Sequence, residues 1–129
     1  MKRSSIHAMM IFFVLTALVS CSLFKPSPSQ VVKSFYRNIE SGKIEEAAKL
    51  LSSQSVQTFG SKFRAVMPNE TNKIKSKGGI RSIETEESVT GEVAKVTCKV
   101  TYGDNSTEDD VLDLIKENGD WKIQMNTGK

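Results

Sequence analysis

The sequence predicts an α+β fold, with about three N-terminal helices packed on one face of a four-stranded antiparallel sheet. Three observations predict it. Apolar residues recur at helical spacing from Val31 to Met67. From Gly79 onward the apolar period shortens to two, as in half-buried strands. Asn118-Gly119 then divides two alternating runs, the strongest two-residue hairpin signal.

The first helix has a clear start. In "SPSQVVKSFYRNIESG" Ser27 can cap, Pro28 suits the first helical position, and Gln30 can close a capping box. Val31, Val32, Phe35, Tyr36 and Ile39 form its apolar stripe, and Gly42 ends it. "KIEEAAKLLS" makes a short second helix burying Ile44, Ala47, Ala48 and Leu51. A third places Val56, Phe59, Phe63, Val66 and Met67 on one face until Pro68 stops it. "NETNKIKSKGG" then reads as a polar loop or a frayed turn.

"IRSIETEE" is a charged strand suited to a sheet edge. "VAKVTCKVTY" alternates cleanly, with Ala94, Val96, Cys98, Val100 and Tyr102 on one face and lysines and threonines on the other. The last two strands, "DDVLDLIKE" and "DWKIQM", take their register from the Asn118-Gly119 turn. It pairs Glu117 with Asp120, Lys116 with Trp121, Leu114 with Ile123, and Leu112 with Met125. Both strands then turn the same apolar face inward.

Ahead of this domain, Met1-Lys2-Arg3 opens a short cationic segment, and an apolar run of roughly a dozen residues follows from Ile6. That run is too short to span a bilayer, which takes about 20 residues. It gives way at Leu18-Val19-Ser20-Cys21, which resembles the bacterial lipobox. In that motif the cysteine thiol takes up a diacylglyceryl group, the preceding peptide bond is cut, and the new amine is usually acylated. The resemblance implies residues 1–20 as a lipoprotein signal peptide, Cys21 as the lipidation site, 21–28 as a tether, and 29–126 as one domain. The palmitate-type anchor would hold the protein to a membrane of the cell envelope. In a two-membrane organism, Ser22 in place of aspartate after the cysteine favours the outer membrane, facing the periplasm.

Removing residues 1–20 changes the chemistry that remains. Loss of Lys2 and Arg3 leaves 16 basic against 15 acidic residues, a net charge of +1, so nothing global suggests nucleic-acid binding. His7, the only histidine, is lost as well, which weakens metal-site and His-based catalytic readings. No metal or other cofactor is expected. Cys98 is left as the single free thiol, and its place between Val96 and Val100 makes it a small core residue.

Three stretches together resemble a family of small bacterial lipoproteins within the nuclear-transport-factor-2-like (cystatin-like) superfamily. They are "PSQVVKSFYRNIESGKIEEAAKLLS", "GGIRSIETEE" and "AKVTCKVTYGDNSTEDDVLDLIKENGDWKI", and they cover nearly all of residues 27–125. The family is one of unknown function, so the resemblance implies a fold and leaves activity open. That fold is a curved sheet wrapped around the helices, a cone or cystatin-like roll whose open end can hold a ligand.

Within such a cone the candidate ligand-binding residues are Tyr36, Phe63, Val100, Tyr102, Leu112 and Trp121. The leading expectation is a non-catalytic domain binding a small apolar molecule or a protein partner. The superfamily also contains isomerases and dehydratases, and that alternative would use Tyr102 and Asp110, placed opposite each other near the rim. A third possibility is a structural module that forms a homodimer through the polar outer face of the sheet. Lys73, Lys75, Lys77 and Arg81 form one basic cluster, read as a solvated loop before a headgroup-binding patch.

Overall fold

A computed structural model describes residues 25–126. The predicted signal segment and Cys21 lie outside the described residues. Three helices, α1 (Pro28–Glu40), α2 (Ile44–Ala48) and α3 (Ser53–Ser76), precede four strands. These are β1 (Ile80–Thr90), β2 (Val93–Tyr102), β3 (Thr107–Glu117) and β4 (Asp120–Gln124). The sheet runs in the order β1-β2-β3-β4, every pair antiparallel, and the helices pack on its inner face. The α+β expectation holds.

Local chemistry explains the helix boundaries. The Gln30 N–H donates to Ser27 Oγ at 3.3 Å and the Ser27 N–H donates to Gln30 Oε1 at 2.9 Å, so the capping box forms. Gly42, at φ +74°, takes the left-handed conformation that releases the chain from α1. The short helix α2 buries Ala47 and Ala48, and Leu51 just after it makes a parallel bridge to Ile123.

Pro68 does not stop the third helix. It lies inside α3, which continues eight residues to Ser76. A proline there removes one backbone hydrogen bond and costs about 3 kcal/mol. Tertiary packing offsets this. Phe63, Thr71 and Ile74 continue one buried stripe through the proline, and Thr71 Oγ1 donates to the Ile39 carbonyl at 2.6 Å. The stretch read as a polar loop or a frayed turn is therefore regular helix as far as Ser76, and Lys73 and Lys75 stand in its last turn, where positive charge suits the helix C-terminus. Val66 is 39% exposed and does not belong to the buried face.

The β3–β4 hairpin takes the expected register at Glu117–Asp120, Lys116–Trp121 and Leu114–Ile123. Its ladder ends at Asp113–Gln124, one step short of the expected Leu112–Met125 pair. Asn118 (φ 51°) and Gly119 (φ 82°) both adopt the left-handed conformation such a turn demands. Lys116 Nζ sits 5.2 Å from the Trp121 ring centre. The free side of β4 is covered, since the Ile123 N–H donates to Leu50 O and the Ser52 N–H to Ile123 O, both at 2.8 Å. The open edge is β1, where Glu84 and Glu86 are exposed, charges that discourage unwanted strand pairing.

All the buried hydrophobic residues among those described lie between Val31 and Ile123. Lys25 enters beside the β3–β4 turn. A Cβ placed on Gly119 would come within 2.9 Å of its Nζ. That puts the point of entry at one end of the sheet. The other end holds the candidate site.

Candidate functional site

The inner face of the sheet changes character along its length. Near the β3–β4 turn, Ala94, Val96, Leu114 and Ile123 meet Val31, Val32, Ala47, Ala48 and Leu51, and all are buried. At the opposite end the helices and strands part. They leave a cleft of about 430 Å³ between the second half of α1, the middle of α3, the end of β2, the start of β3 and the end of β4.

Its apolar walls come from α1 (Phe35), α3 (Phe63, Met67) and the sheet (Leu112, Met125). Phe35 meets the Tyr36 ring edge-on and the Phe63 ring at a tilt, with ring centres 5.9 Å apart in each pair. Met125 is held in place from behind, its N–H donating to the buried Ser55 Oγ at 2.8 Å. Ser55 in turn donates its own N–H to Ser52 Oγ at 3.1 Å, the cap of α3. The wall is thus built on rigid elements.

Two tyrosines carry the polar chemistry. Tyr36 OH donates to Asp110 Oδ2 at 3.0 Å, and Cys98 Sγ lies 3.7 Å from the same hydroxyl. Burial is the main cause raising the Tyr36 phenol above its usual range, helped by Cys98 and Asp110. Tyr102 OH donates to Glu108 Oε2 at 2.7 Å. Its phenol is raised too, first by burial and then by Glu108, with Glu70 adding further negative charge. Lys77 Nζ sits 4.5 Å from the Tyr102 ring centre. Burial also pushes the Cys98 thiol up, and the residue is only 4% exposed, as its apolar strand face predicts.

The expected Tyr102–Asp110 pair does not form. β3 begins at Thr107, which pairs with Thr101, so Cys98 rather than Tyr102 lies opposite Asp110. The turn that decides this is short, its Tyr102 N–H donating to Ser106 O at 2.9 Å. The slip is four residues, an even number, so Asp110 keeps the inward face while its partner changes. Glu108 takes its place beside Tyr102. The turn is pinned by a close approach of Gly103 to Gly78, where a side chain on Gly103 would collide with the Gly78 backbone.

Of the six residues expected in the pocket, Tyr36, Phe63, Tyr102 and Leu112 line the cleft. Val100 is 1% exposed and lies in the core beneath it. Trp121 belongs to the other end, paired with Lys116. Sequence reasoning missed Phe35, Met67, Glu70, Glu108 and Met125. Parity along β3 was the available signal for Glu108, which shares a face with Asp110 and Leu112. The basic cluster lies at this end too, away from the Lys25 entry.

The outer face of the sheet is polar, as expected, with Lys95 Nζ 3.6 Å from Asp113 Oδ1. Val93 and Val111 stand exposed among these charges, at 53% and 56%. A broader depression of about 840 Å³ lies there, bordered by Glu84, Glu86, Thr97, Lys99 and Asp109. It is open strand surface that no helix encloses. Among the described residues no group of His, Cys, Asp and Glu is placed to hold a metal ion, and no helix is long and apolar enough to cross a membrane.

Known proteins offer three comparisons. Residues 19–124 match the family described as Domain of unknown function (DUF4878). A search of curated proteins returns no match. Among solved structures, a candidate NTF2-like transpeptidase from Campylobacter jejuni superposes with a TM-score of 0.69 at 18% identity, covering 78% of this chain and 100% of that one. A SEC-C motif containing protein from Rhodopseudomonas palustris gives a TM-score of 0.55 at 14% identity, covering 77% and 76%. At these identities the likeness is one of fold, and that fold is NTF2-like.

Proposed function

The chain belongs to the DUF4878 family, and from that premise we propose that it is a lipid-anchored cell-envelope protein whose cleft binds a small molecule with a largely apolar body. One observation carries the binding reading. The inner face is filled by side chains at the end near Lys25 but opens at the other into a space walled by Phe35, Phe63, Met67, Leu112 and Met125. Concave, mostly apolar sites with a few convergent polar groups are the usual form of small-molecule sites. The anchoring reading rests on Leu18-Val19-Ser20-Cys21 after a cationic start and an apolar run.

Binding is favoured over isomerase or dehydratase chemistry. Tyr102 and Asp110 make separate bonds, and each phenol already donates to a carboxylate. Raised above their ordinary values, both phenols hold their protons firmly and give poor general acids near neutrality. The name of the Campylobacter jejuni protein does not transfer at this identity, and the described residues offer no accessible thiol for acyl transfer.

Native mass spectrometry of residues 22–129 tests the cleft. A bound mass that disappears on denaturation is expected, and Phe63→Trp, which fills the space, should abolish it. A bare mass from wild-type protein isolated from its own cells would count against the reading. Anchoring is tested separately by feeding a tagged palmitate analogue. Label should enter the full chain and be lost in Cys21→Ser; label retained in that variant would sink the lipidation site.

A further inference from the structure

Resting on that reading of the cleft, we propose that its ligand is an organic cation, an amine carried on an apolar body. The lining contains four carboxylates, Glu70, Glu108, Asp110 and Asp113, and no lysine or arginine. Two of the four have local partners. Asp113 lies 3.6 Å from Lys95, and Glu70 lies 4.0 Å from Lys73. Among the described residues, Glu108 and Asp110 have no ion pair at all.

These two are also the carboxylates that the strand aims inward. They stand opposite Val100 and Cys98 on the helix-packed face of the sheet, two residues apart and so about 7 Å from each other along β3. Elsewhere on this face the same alternation supplies Leu112 and Leu114. Each acid is oriented by a phenol, Glu108 by Tyr102 and Asp110 by Tyr36. Asp110 Oδ1 also accepts the Val111 N–H at 2.9 Å. An ionised carboxylate has about four lone-pair sites, so both retain acceptor capacity toward a donor in the cleft.

The apolar walls add a second attraction. Phe35, Tyr36, Phe63 and Tyr102 line the space, and aromatic rings attract ammonium groups within about 6 Å of their faces. Lys77 already uses the Tyr102 ring in this way from outside the lining, at 4.5 Å. An anionic ligand would meet carboxylates on the sheet side, with only the side-chain amides of Gln124 and Asn126 to answer it. The net charge of +1 for residues 21–129 means that bulk attraction cannot produce a preference for cations.

The test compares three probes of one shape on isotopically labelled residues 22–129: hexylamine, hexanol and hexanoate, followed by NMR at neutral pH and low salt. Hexylamine should bind about tenfold more tightly than hexanol, with hexanoate weakest and the shifts centred on Phe35, Phe63 and Leu112. Glu108→Gln combined with Asp110→Asn should erase the preference while hexanol still binds. Glu84→Gln with Glu86→Gln, on the outer face, should leave it intact. Both altered pairs are exposed, so the fold should survive, and Asp110→Asn alone should halve the preference or more if the double variant does not fold. Equal binding of amine and alcohol, tighter hexanoate, or a preference that survives the inner-face variants would overturn the cation while leaving the cleft as a binding site. Failure of all three probes to move cleft resonances would remove both.

Discussion

The two ends of this domain share the same strands, the same alternation and the same helices, yet one is closed and the other open. Near the β3–β4 turn the inward positions of β3 are leucines, and they meet alanines and valines on the facing helices. Toward the β2–β3 turn the inward positions become Asp110 and Glu108, and the facing helices supply phenylalanines and Tyr36. Alternation fixes which face a residue takes. Side-chain chemistry then decides whether that face seals. A fold can therefore combine a rigid core and a solvent-reaching cleft in one sheet without any change of topology.

The largest effect should come from breaking the closed end. Leu114 is 1% exposed, and Leu114→Ala should cost about 3 kcal/mol, read by urea denaturation. A loss below about 1 kcal/mol would mean that the closed end is not the stabilising half. High pH should sharpen the comparison, because the two tyrosines with raised values both stand at the open end. Tyr36 and Tyr102 have folded-state values raised above the ordinary 10.0, so their contribution is complete below that value and lost as pH rises beyond it. Each should steepen the fall in stability by about 1.4 kcal/mol per pH unit above pH 10. Tyr36→Phe should remove one such increment, and an unchanged slope in that variant would contradict the burial of its phenol. The smallest effect belongs to Asp110→Asn at neutral pH, within about 0.5 kcal/mol, because this exposed acid was not needed for packing. A large loss there would recast Asp110 as a structural residue.

Much of the closed end was legible in the sequence. Ser27, Pro28 and Gln30 specify a helix start by local hydrogen bonding, and Asn118-Gly119 specifies a turn by its positive φ values. Such signals need only neighbouring residues. The misreadings all involve distant ones. Pro68 breaks helices locally, but here Thr71 reaches Ile39, 32 residues earlier, and Ile74 enters the core. The Tyr102–Asp110 pairing failed because the β2–β3 turn is closed by backbone bonds of a Gly-Asp-Asn-Ser sequence, whose length alternation alone does not set. Glu70 could not be placed until α3 was known to pass Pro68. The cleft lies where long-range contacts decide the geometry, and was accordingly the least readable part.

The position of Lys25 beside Gly119 gives the molecule an up and a down. Seven residues of β3 separate Glu117, at that end, from Asp110, a rise of about 23 Å. Were Cys21 acylated, as proposed, the end near Lys25 would be the one nearer the lipid and the cleft the one farther from it. An anionic bilayer enriches organic cations only within a Debye length, about 8–10 Å of its surface. A cleft held upright would lie outside that layer. It would sample dissolved molecules and ignore those already adsorbed on the membrane that anchors it.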